Sequence, residues 1–317
     1  MAIRSAIIVG SNGQDGRLLT ALLRSGGART LGIGRGTIDP SGLTWDQPVD
    51  ITRAAEVAAV VSALRPDALF HLAALHESSE ESQAFDLDAI RARYEINFFS
   101  LLHCLEAIRA GSPATRLFFA ASSHIFGAPD TEVQDEGTPI RPDSIYGMTK
   151  ADGLLACRIY RAQHGLHASV GILYTHESPH REAKFLAMKI ARAARRIRAG
   201  DPEPLVIGNL DAVIDWGWAS DYVDAMRRIV ALDTPGEFVI ATGERRTVRD
   251  FVAAAFAAVD LDWRPHVREE AGILARPGRT RVGNPARLRA ATGWIPTVGL
   301  EEIARRLAAG DGSAPPG

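Results

Sequence analysis

The feature that most constrains the fold is a strand, a glycine turn and a helix close to the N-terminus. Residues Ser5–Gly10 (S-A-I-I-V-G) form a continuous apolar run, which is typical of a buried parallel strand. Gly10, Gly13 and Gly16 follow in a G-x-x-G-x-x-G spacing, and Arg17–Arg24 has the pattern of an amphipathic helix. Such glycines permit a tight turn and let the backbone approach a pyrophosphate at the helix N-terminus. The pattern predicts a dinucleotide-binding turn rather than a flexible loop, and the same turn contains Asn12, Gln14 and Asp15.

Predicted strands and helices then alternate as far as residue 174, which favours an α/β fold with a doubly wound parallel sheet. The strands are predicted at Thr30–Gly34, Ala68–Leu72, Arg116–Ala121 and Ala168–Tyr174, and the helices at Arg53–Leu64, Ile90–Arg109 and Ser144–His164. Polar loops, the basic helix Phe185–Arg198 and a late strand at Glu237–Ala241 follow. We therefore expect a cofactor-binding domain at 1–174, to which 212–243 returns. A smaller mixed α/β lobe would comprise 175–211 and 244–310, and 311–317 would form a flexible tail.

The second strand ends at Arg35, where an NAD-selective site usually has an acidic residue that binds the ribose 2′-hydroxyl. Asp39 comes too late in the chain for that position. Because a guanidinium suits a 2′-phosphate, NADP is expected, with NAD as the alternative. Further cofactor contacts are predicted at Asp50 and Ile51, unless these only begin a helix, and at the small residues after the next strand, Leu72, Ala73 and Ala74.

A second motif combines Ser122-Ser123-His124 with Tyr146-Gly147-Met148-Thr149-Lys150. Tyr146 and Lys150 are four residues apart and so share one helix face, while Ser122 ends a predicted strand. We expect the ammonium to lower the pKa of the phenol, which would make Tyr146 a general acid/base beside a nicotinamide. A surface helix with a Tyr–Lys pair is the alternative, since Y-x-x-x-K often occurs by chance. Asn97, in an apolar stretch, either is satisfied by backbone or supports Lys150 through a water.

Composition narrows the class of protein. The chain has 317 residues, 46% of them hydrophobic and 23% charged, which is ordinary for a soluble globular protein. The net charge of −2 gives no sign of a nucleic-acid or membrane partner, and no apolar run reaches the length of a membrane span. Cys104 and Cys157 have no metal or redox spacing and are expected to be buried in a reducing compartment. A cytoplasmic location is therefore expected.

Together these motifs resemble the extended short-chain dehydrogenase/reductase superfamily, whose nucleotide domain has the Rossmann fold, and most closely its GDP-mannose 4,6-dehydratase branch. The likeness is carried by G-S-N-G-Q-D-G-R-L-L, A-S-S-H-I-F-G, Y-G-M-T-K, G-I-L-Y-T-H-E-S-P, G-N-L-D-A-V-I-D-W-G and F-V-I-A-T-G-E. The resemblance implies an enzyme that transiently oxidises C4 of a nucleotide-diphosphate sugar. It also suggests a homodimer, or a dimer of dimers, that pairs the two long helices Ile90–Arg109 and Ser144–His164.

The resemblance also implies roles for individual residues. Tyr146 would take the proton of the C4 hydroxyl, Lys150 would bind the nicotinamide ribose, and Ser122 would hydrogen-bond the reacting oxygen. The diphosphate would lie near Lys189, Arg276 and Arg181. The remaining substrate contacts are expected from Ser123, Thr175, His176 and Glu177.

Three positions depart from the dehydratase pattern. His124 stands where the branch has the Glu that removes the C5 proton, Val213-Ile214 replaces a Lys-Arg pair, and Thr175 replaces an Asn. His124 could be the C5 base, but no paired acid lies beside it in the sequence, and a C4 epimerase would need it only as a pocket wall. The sequence therefore favours a C4 epimerase of a nucleotide-linked hexose or heptose, with 4,6-dehydratase and then 4-ketoreductase as alternatives. A non-catalytic NADP-binding protein is disfavoured, because Tyr146 and Lys150 are both present.

Overall fold

The computed structural model describes residues 1–76, 86–270, 272–273 and 280–310. Its α-helices are α1 (Gln14–Ser25), α2 (Ala54–Leu64), α3 (Leu87–Tyr94), α4 (Ser100–Gly111), α5 (Ile145–His164), α6 (Leu186–Arg198), α7 (Ala219–Ala231), α8 (Val248–Ala257), α9 (Ala286–Thr292) and α10 (Leu300–Ala309). Its strands are β1 (Ser5–Val9), β2 (Arg29–Gly34), β3 (Thr37–Ser41), β4 (Ala68–His71), β5 (Arg116–Ser122), β6 (Val133–Gln134), β7 (Ala168–Leu173), β8 (Thr175–Glu177), β9 (Leu205–Ile207), β10 (Val213–Ile214), β11 (Trp216–Trp218), β12 (Glu237–Ile240), β13 (Arg246–Thr247), β14 (Val267–Glu269) and β15 (Val282–Gly283).

Seven strands form the central sheet, in the order β12-β7-β5-β4-β1-β2-β3. All neighbouring pairs are parallel except β2 and β3, which form an antiparallel hairpin at the edge. The predicted doubly wound sheet is therefore confirmed. The edge hairpin was not predicted from the sequence, and β3 carries Pro40, which a sheet tolerates at an edge.

Hydrophobic clusters cover both faces of this sheet. One cluster packs helices α2, α4 and α5 against one face, and another packs α1 and α7 against the opposite face. A further cluster joins α6, α8 and α10 with Trp216 and Trp218 beside the sheet. Cys104 and Cys157 are free and buried. The domain boundaries given above stay predictions, and the tail at 311–317 lies outside the described residues.

The helix predicted at Ile90–Arg109 is longer and is interrupted. It begins at Leu87, and a π-helical turn at Glu95–Phe99 separates α3 from α4. Apolar side chains are exposed on this element and on α5, among them Phe99, Leu155 and Ile159. The predicted dimer would cover such a surface, and it stays a prediction. No helix in the described part of the chain is long and apolar enough to cross a membrane.

Candidate active site

A large cleft opens at the carboxyl ends of the central strands, which is where ligands bind in open α/β sheets. Its volume is about 1430 Å³, which exceeds the roughly 300–1,000 Å³ of a pocket for one small ligand. The cleft therefore has room for two ligands side by side. The sequence-predicted residues that line it are Gly10, Asn12, Gly13, Gln14, Asp15, Gly16, Arg35, Asp50, Ile51, Leu72, Ala73, Ala74, Ser122, Ser123, His124, Tyr146, Lys150, Thr175, His176, Glu177 and Arg181.

The glycine turn brings bare backbone to one end of the cleft. Gly10 has φ +91°, and a Cβ built there would lie 2.6 Å from the Ala73 nitrogen. A Cβ on Gly16 would lie 2.2 Å from the Gly10 carbonyl oxygen. Both positions therefore require glycine, one for backbone conformation and contact with the β4 loop, the other for packing of α1 on the turn. Arg35 is exposed directly after β2, whereas Asp39 pairs with Arg24 at 3.0 Å and is not among the described lining residues.

The proposed proton relay consists of Ser122, Tyr146 and Lys150, and β5 and α5 bring these residues together. Ser122 is the last residue of β5, and Tyr146 and Lys150 lie in the first turns of α5. Ser144 caps this helix by accepting a hydrogen bond from the Gly147 amide at 3.1 Å, which fixes where α5 begins. The Lys150 ammonium donates to the carbonyl oxygen of Ala120 at 2.7 Å, close to the reactive end of β5. The Ser122 hydroxyl hydrogen-bonds with the Tyr146 phenol.

The electrostatics of the relay differ from the expectation. Burial raises the pKa of Tyr146 to about 12, although the Ser122 hydrogen bond and the charge of Arg181 act to lower it. The prediction that Lys150 lowers the pKa of Tyr146 is therefore wrong for the protein without cofactor or substrate. Burial also lowers the pKa of Lys150 to about 7, because a buried ammonium loses its hydration. In this part of the cleft a proton donor and a cation are both desolvated.

Asn97 lies in the π-helical turn and holds the loop after β4. Its Oδ1 accepts from the Leu75 amide at 2.7 Å, and its Nδ2 donates to the Leu75 carbonyl oxygen at 3.2 Å and to Thr149 Oγ1 at 3.1 Å. These contacts support the first of the two expectations, satisfaction by backbone, with an added side-chain partner on α5. A π-turn is often found at functional sites, and here it aims a buried amide at the loop beside the relay.

Two imidazoles lie over the relay. The His124 ring meets Tyr146 edge-on, with centroids 5.5 Å apart. The His76 ring lies 4.3 Å from the Tyr146 ring and 5.6 Å from the His124 ring, measured between centroids. Sequence reasoning missed His76, as well as Lys184 and Phe185 in the same wall of the cleft. The sequence signal that could have identified His76 is its position two residues beyond Ala74, in the segment after the carboxyl end of a predicted strand.

The part of the cleft wall formed by β8 and the start of α1 is polar and buried. The His176 Nε2 lies 3.0 Å from both carboxylate oxygens of Asp15, and Gln14 donates to the His176 carbonyl oxygen at 3.2 Å. Glu177 is buried beside Arg181, at 3.7 Å between Oε2 and Nε, and burial raises the pKa of its carboxyl group. The wall thus ties β8 to the glycine turn.

Comparison with known proteins shows the family of this chain. The sequence matches the GDP-mannose 4,6 dehydratase family over residues 7–307. GDP-mannose 4,6 dehydratase 2 of Caenorhabditis elegans is 33% identical over 342 residues, which span 96% of this chain and 88% of that protein. The chain belongs to this family. The predicted membership of the extended short-chain dehydrogenase/reductase superfamily, in its GDP-mannose 4,6-dehydratase branch, is confirmed, and with it the prediction of a nucleotide-sugar-modifying enzyme.

Solved structures agree on the fold. RMD from Pseudomonas aeruginosa complexed with NADPH has a TM-score of 0.79 at 20% identity, covering 97% of this chain and 98% of that one. The UDP-glucose 4-epimerase of Thermus thermophilus in complex with NAD has a TM-score of 0.80 at 23% identity, covering 98% of this chain and 99% of that one. Since an epimerase shares the same fold, the fold does not by itself choose the reaction.

The departure from the dehydratase pattern at Val213-Ile214 lies at the far end of the cleft, where Ile214 lines the wall. Arg281 forms a parallel β-bridge with Ile214 and also lines the cleft, so a cation from the neighbouring segment stands beside the apolar side chain. The sequence indicated the cations of the segment 276–281 as a group near a diphosphate, but Arg281 was not named individually as a substrate contact. Lys189 lies on α6 but is not among the described lining residues, and Arg276 lies outside the described residues.

Proposed function

We propose that the protein is an NADP-dependent 4,6-dehydratase of a GDP-linked hexose. The observation that carries the proposal is the match to 4,6-dehydratases over residues 7–307, combined with an imidazole at the position of the missing Glu. The His124 ring lies 5.5 Å from the ring of Tyr146, the residue that we propose acts at C4, measured between centroids. The C4 epimerase favoured by the sequence alone becomes the second candidate.

The residues present fit a dinucleotide. The close packing at Gly10 and Gly16 leaves no room for a Cβ, so the turn stays tight and lines the cleft at the N-terminus of α1, which suits a pyrophosphate. Arg35 at the end of β2 suits the 2′-phosphate of NADP. When bound, the nicotinamide supplies the acceptor for the C4 hydride and later returns a hydride to the sugar.

The protein side chains move the protons. Tyr146 acts as its phenolate, which takes the proton of the C4 hydroxyl and becomes a phenol. Ser122 hydrogen-bonds the same oxygen, and the protonated ammonium of Lys150, 5.8 Å from the centre of the Tyr146 ring, favours the phenolate by its charge. Oxidation of C4 to a ketone acidifies the C5 proton. His124 then removes that proton, and the C6 hydroxyl departs as water after receiving a proton of its own.

Two cations that line the cleft suit the nucleotide diphosphate. Arg281 beside Ile214 supplies a guanidinium close to where the dehydratase pattern has its Arg. Arg181 is held over the Phe185 ring at 3.8 Å and lies near enough to Tyr146 for its charge to act on the phenol. These two residues replace Lys189 as the proposed diphosphate contacts, while Arg276 stays a prediction.

Isotope transfer tests the proposed reaction against its competitor. Incubation of the purified enzyme with GDP-mannose deuterated at C4 should give a product lighter by one water, with deuterium at C6. A C4 epimerase, which the imidazole in place of a carboxylate favours, would give unchanged mass, inverted C4 and deuterium still at C4. The second result, with GDP-mannose or with other nucleotide-linked hexoses, would overturn the dehydratase proposal.

A further inference from the structure

The sequence shows a candidate base at C5 but no acid for C6, and the structure brings a second titratable ring to the same place. His76 follows β4, far from His124 in the chain, yet the two imidazoles meet edge-on with centroids 5.6 Å apart. Both contact the Tyr146 ring, at 4.3 Å for His76 and 5.5 Å for His124. Three rings that can carry protons therefore surround one small volume at the end of β5.

The position of His76 is fixed from the other side of the cleft. Its ring stacks on Phe185 at 5.4 Å between centroids with 21° between the planes. Its carbonyl oxygen accepts a hydrogen bond from the Lys184 ammonium at 3.3 Å. Phe185 is the residue immediately before α6, so this contact connects His76 to the helix that packs with α8 and α10. The ring is half-buried and lines the cleft, which leaves it accessible to a sugar bound there.

Elimination of water needs two proton transfers at adjacent carbons. The relay of Ser122, Tyr146 and Lys150 accounts for the C4 oxygen only. A base at C5 and an acid at C6 must therefore lie close together beside that relay, and imidazole is suited to both tasks near neutral pH. The spacing of His76 and His124 meets this geometric requirement.

We propose that His76 is the general acid that protonates the departing C6 hydroxyl, paired with His124 as the base at C5. The inference rests on the proposed 4,6-dehydration. Neutral His124 takes the C5 proton, the electrons of that C–H bond form the C5–C6 double bond, and the C6–O bond breaks. The leaving oxygen takes the proton of the His76 imidazolium and departs as water. When C6 is subsequently reduced, His124 returns its proton to C5, and His76 regains a proton from solvent.

Partial reactions separate the two roles. His76→Asn should still oxidise C4 of GDP-mannose and exchange the C5 proton in deuterated water, while water loss falls by about 10²–10⁴-fold. His124→Asn should oxidise C4 but lose the C5 exchange. His76→Phe keeps a ring that can stack on Phe185 and should match His76→Asn, which distinguishes lost proton transfer from lost packing. His164→Asn, an exposed histidine at the end of α5, is the matched control and should behave as the unaltered enzyme.

A substrate analogue gives a sharper test. GDP-6-deoxy-6-fluoromannose has a leaving group that needs little protonation, so it should restore elimination in His76→Asn but not in His124→Asn. An unaltered rate of water loss in His76→Asn, or equal loss of C4 oxidation, C5 exchange and elimination, would overturn the role of His76. Failure of the proposed function would look different, because the unaltered enzyme itself would then release no water and would only invert C4.

Discussion

The imidazole of His176 lies 3.0 Å from both carboxylate oxygens of Asp15, and this pair fastens the glycine turn to β8. The His176 ring also stacks on Tyr222 at 4.4 Å between centroids. Burial acts against both charges, but the attraction between them prevails: the pKa of Asp15 is lowered and the pKa of His176 is raised. The cofactor turn and one wall of the substrate pocket are thereby coupled.

This pair should make stability depend on pH. Because the pKa of His176 is raised above 6.5, its contribution is full below that value and is lost as the pH rises through the folded-state pKa. Because the pKa of Asp15 is lowered below 3.8, its contribution is full above that value and is lost as the pH falls through the folded-state pKa. The pair therefore stabilises most between 3.8 and 6.5.

Asp15→Asn should lower the free energy of unfolding by about 3 kcal/mol, since a buried charge loses its partner. Urea unfolding at a series of pH values measures the free energy of unfolding. The decrease in this free energy as the pH rises through the His176 pKa should be smaller in the variant than in the unaltered protein. A double-mutant cycle with His176→Asn checks that the two effects are coupled. An unchanged pH dependence would show that the pair does not titrate as described.

Tyr146→Phe tests the relay. The change removes the hydroxyl that bonds with Ser122 but keeps the ring that packs against His76 and His124. We expect turnover of GDP-mannose to fall by at least about 10²–10⁴-fold while the copurified cofactor content is unchanged. Tyr160→Phe, on the same helix, removes a hydroxyl that bonds with Glu106 outside the cleft and is the matched control. Substantial activity in Tyr146→Phe would show that another group takes the C4 proton.

The parts of the site that the sequence predicted are those defined by short-range patterns. The glycine turn is adjacent to its strand and helix, and Tyr146 and Lys150 are joined by one helical turn, so local periodicity places them. Ser122 follows from the rule that parallel strands present their carboxyl ends at one edge of the sheet.

The parts that were missed depend on contacts between distant segments. His76 acquires its role from His124 and Phe185, and Arg281 acquires its place from a bridge to Ile214. The π-turn at Glu95–Phe99 has no marker in the apolar pattern, and its Asn97 side chain binds the backbone of Leu75, which is distant in the sequence. The pKa of Tyr146 was mispredicted for the same reason, since burial depends on everything packed around the phenol.

Gly16→Ala tests the close packing of the cofactor turn. Its Cβ would lie 2.2 Å from the Gly10 carbonyl oxygen and 2.6 Å from the Ser11 Cα, and backbone atoms cannot rotate away. We expect a cost of about 1–3 kcal/mol in the free energy of unfolding, as for overpacking in a core, together with weaker NADP binding. Gly26→Ala, at the other end of α1, meets its nearest atom at 3.4 Å and should change neither quantity. Normal NADP affinity in Gly16→Ala, measured by calorimetry, would contradict the proposed approach of the turn to the pyrophosphate.

Arg35→Ala tests the cofactor preference. Arg35 is exposed at the end of β2 and lines the cleft, while the neighbouring acidic residue Asp39 is held by Arg24. A charge-assisted contact to a 2′-phosphate contributes roughly 1.5–3 kcal/mol, so the dissociation constant for NADP should rise about 10- to 100-fold. Binding of NAD should stay the same, because NAD lacks that phosphate. Arg29→Ala, at the opposite end of the same strand, controls for a general loss of positive charge. Equal weakening of NADP and NAD binding in Arg35→Ala would mean that Arg35 supports the fold of the turn. A protein that copurifies only with NAD, and whose cofactor binding does not respond to Arg35→Ala, would refute the preference for NADP.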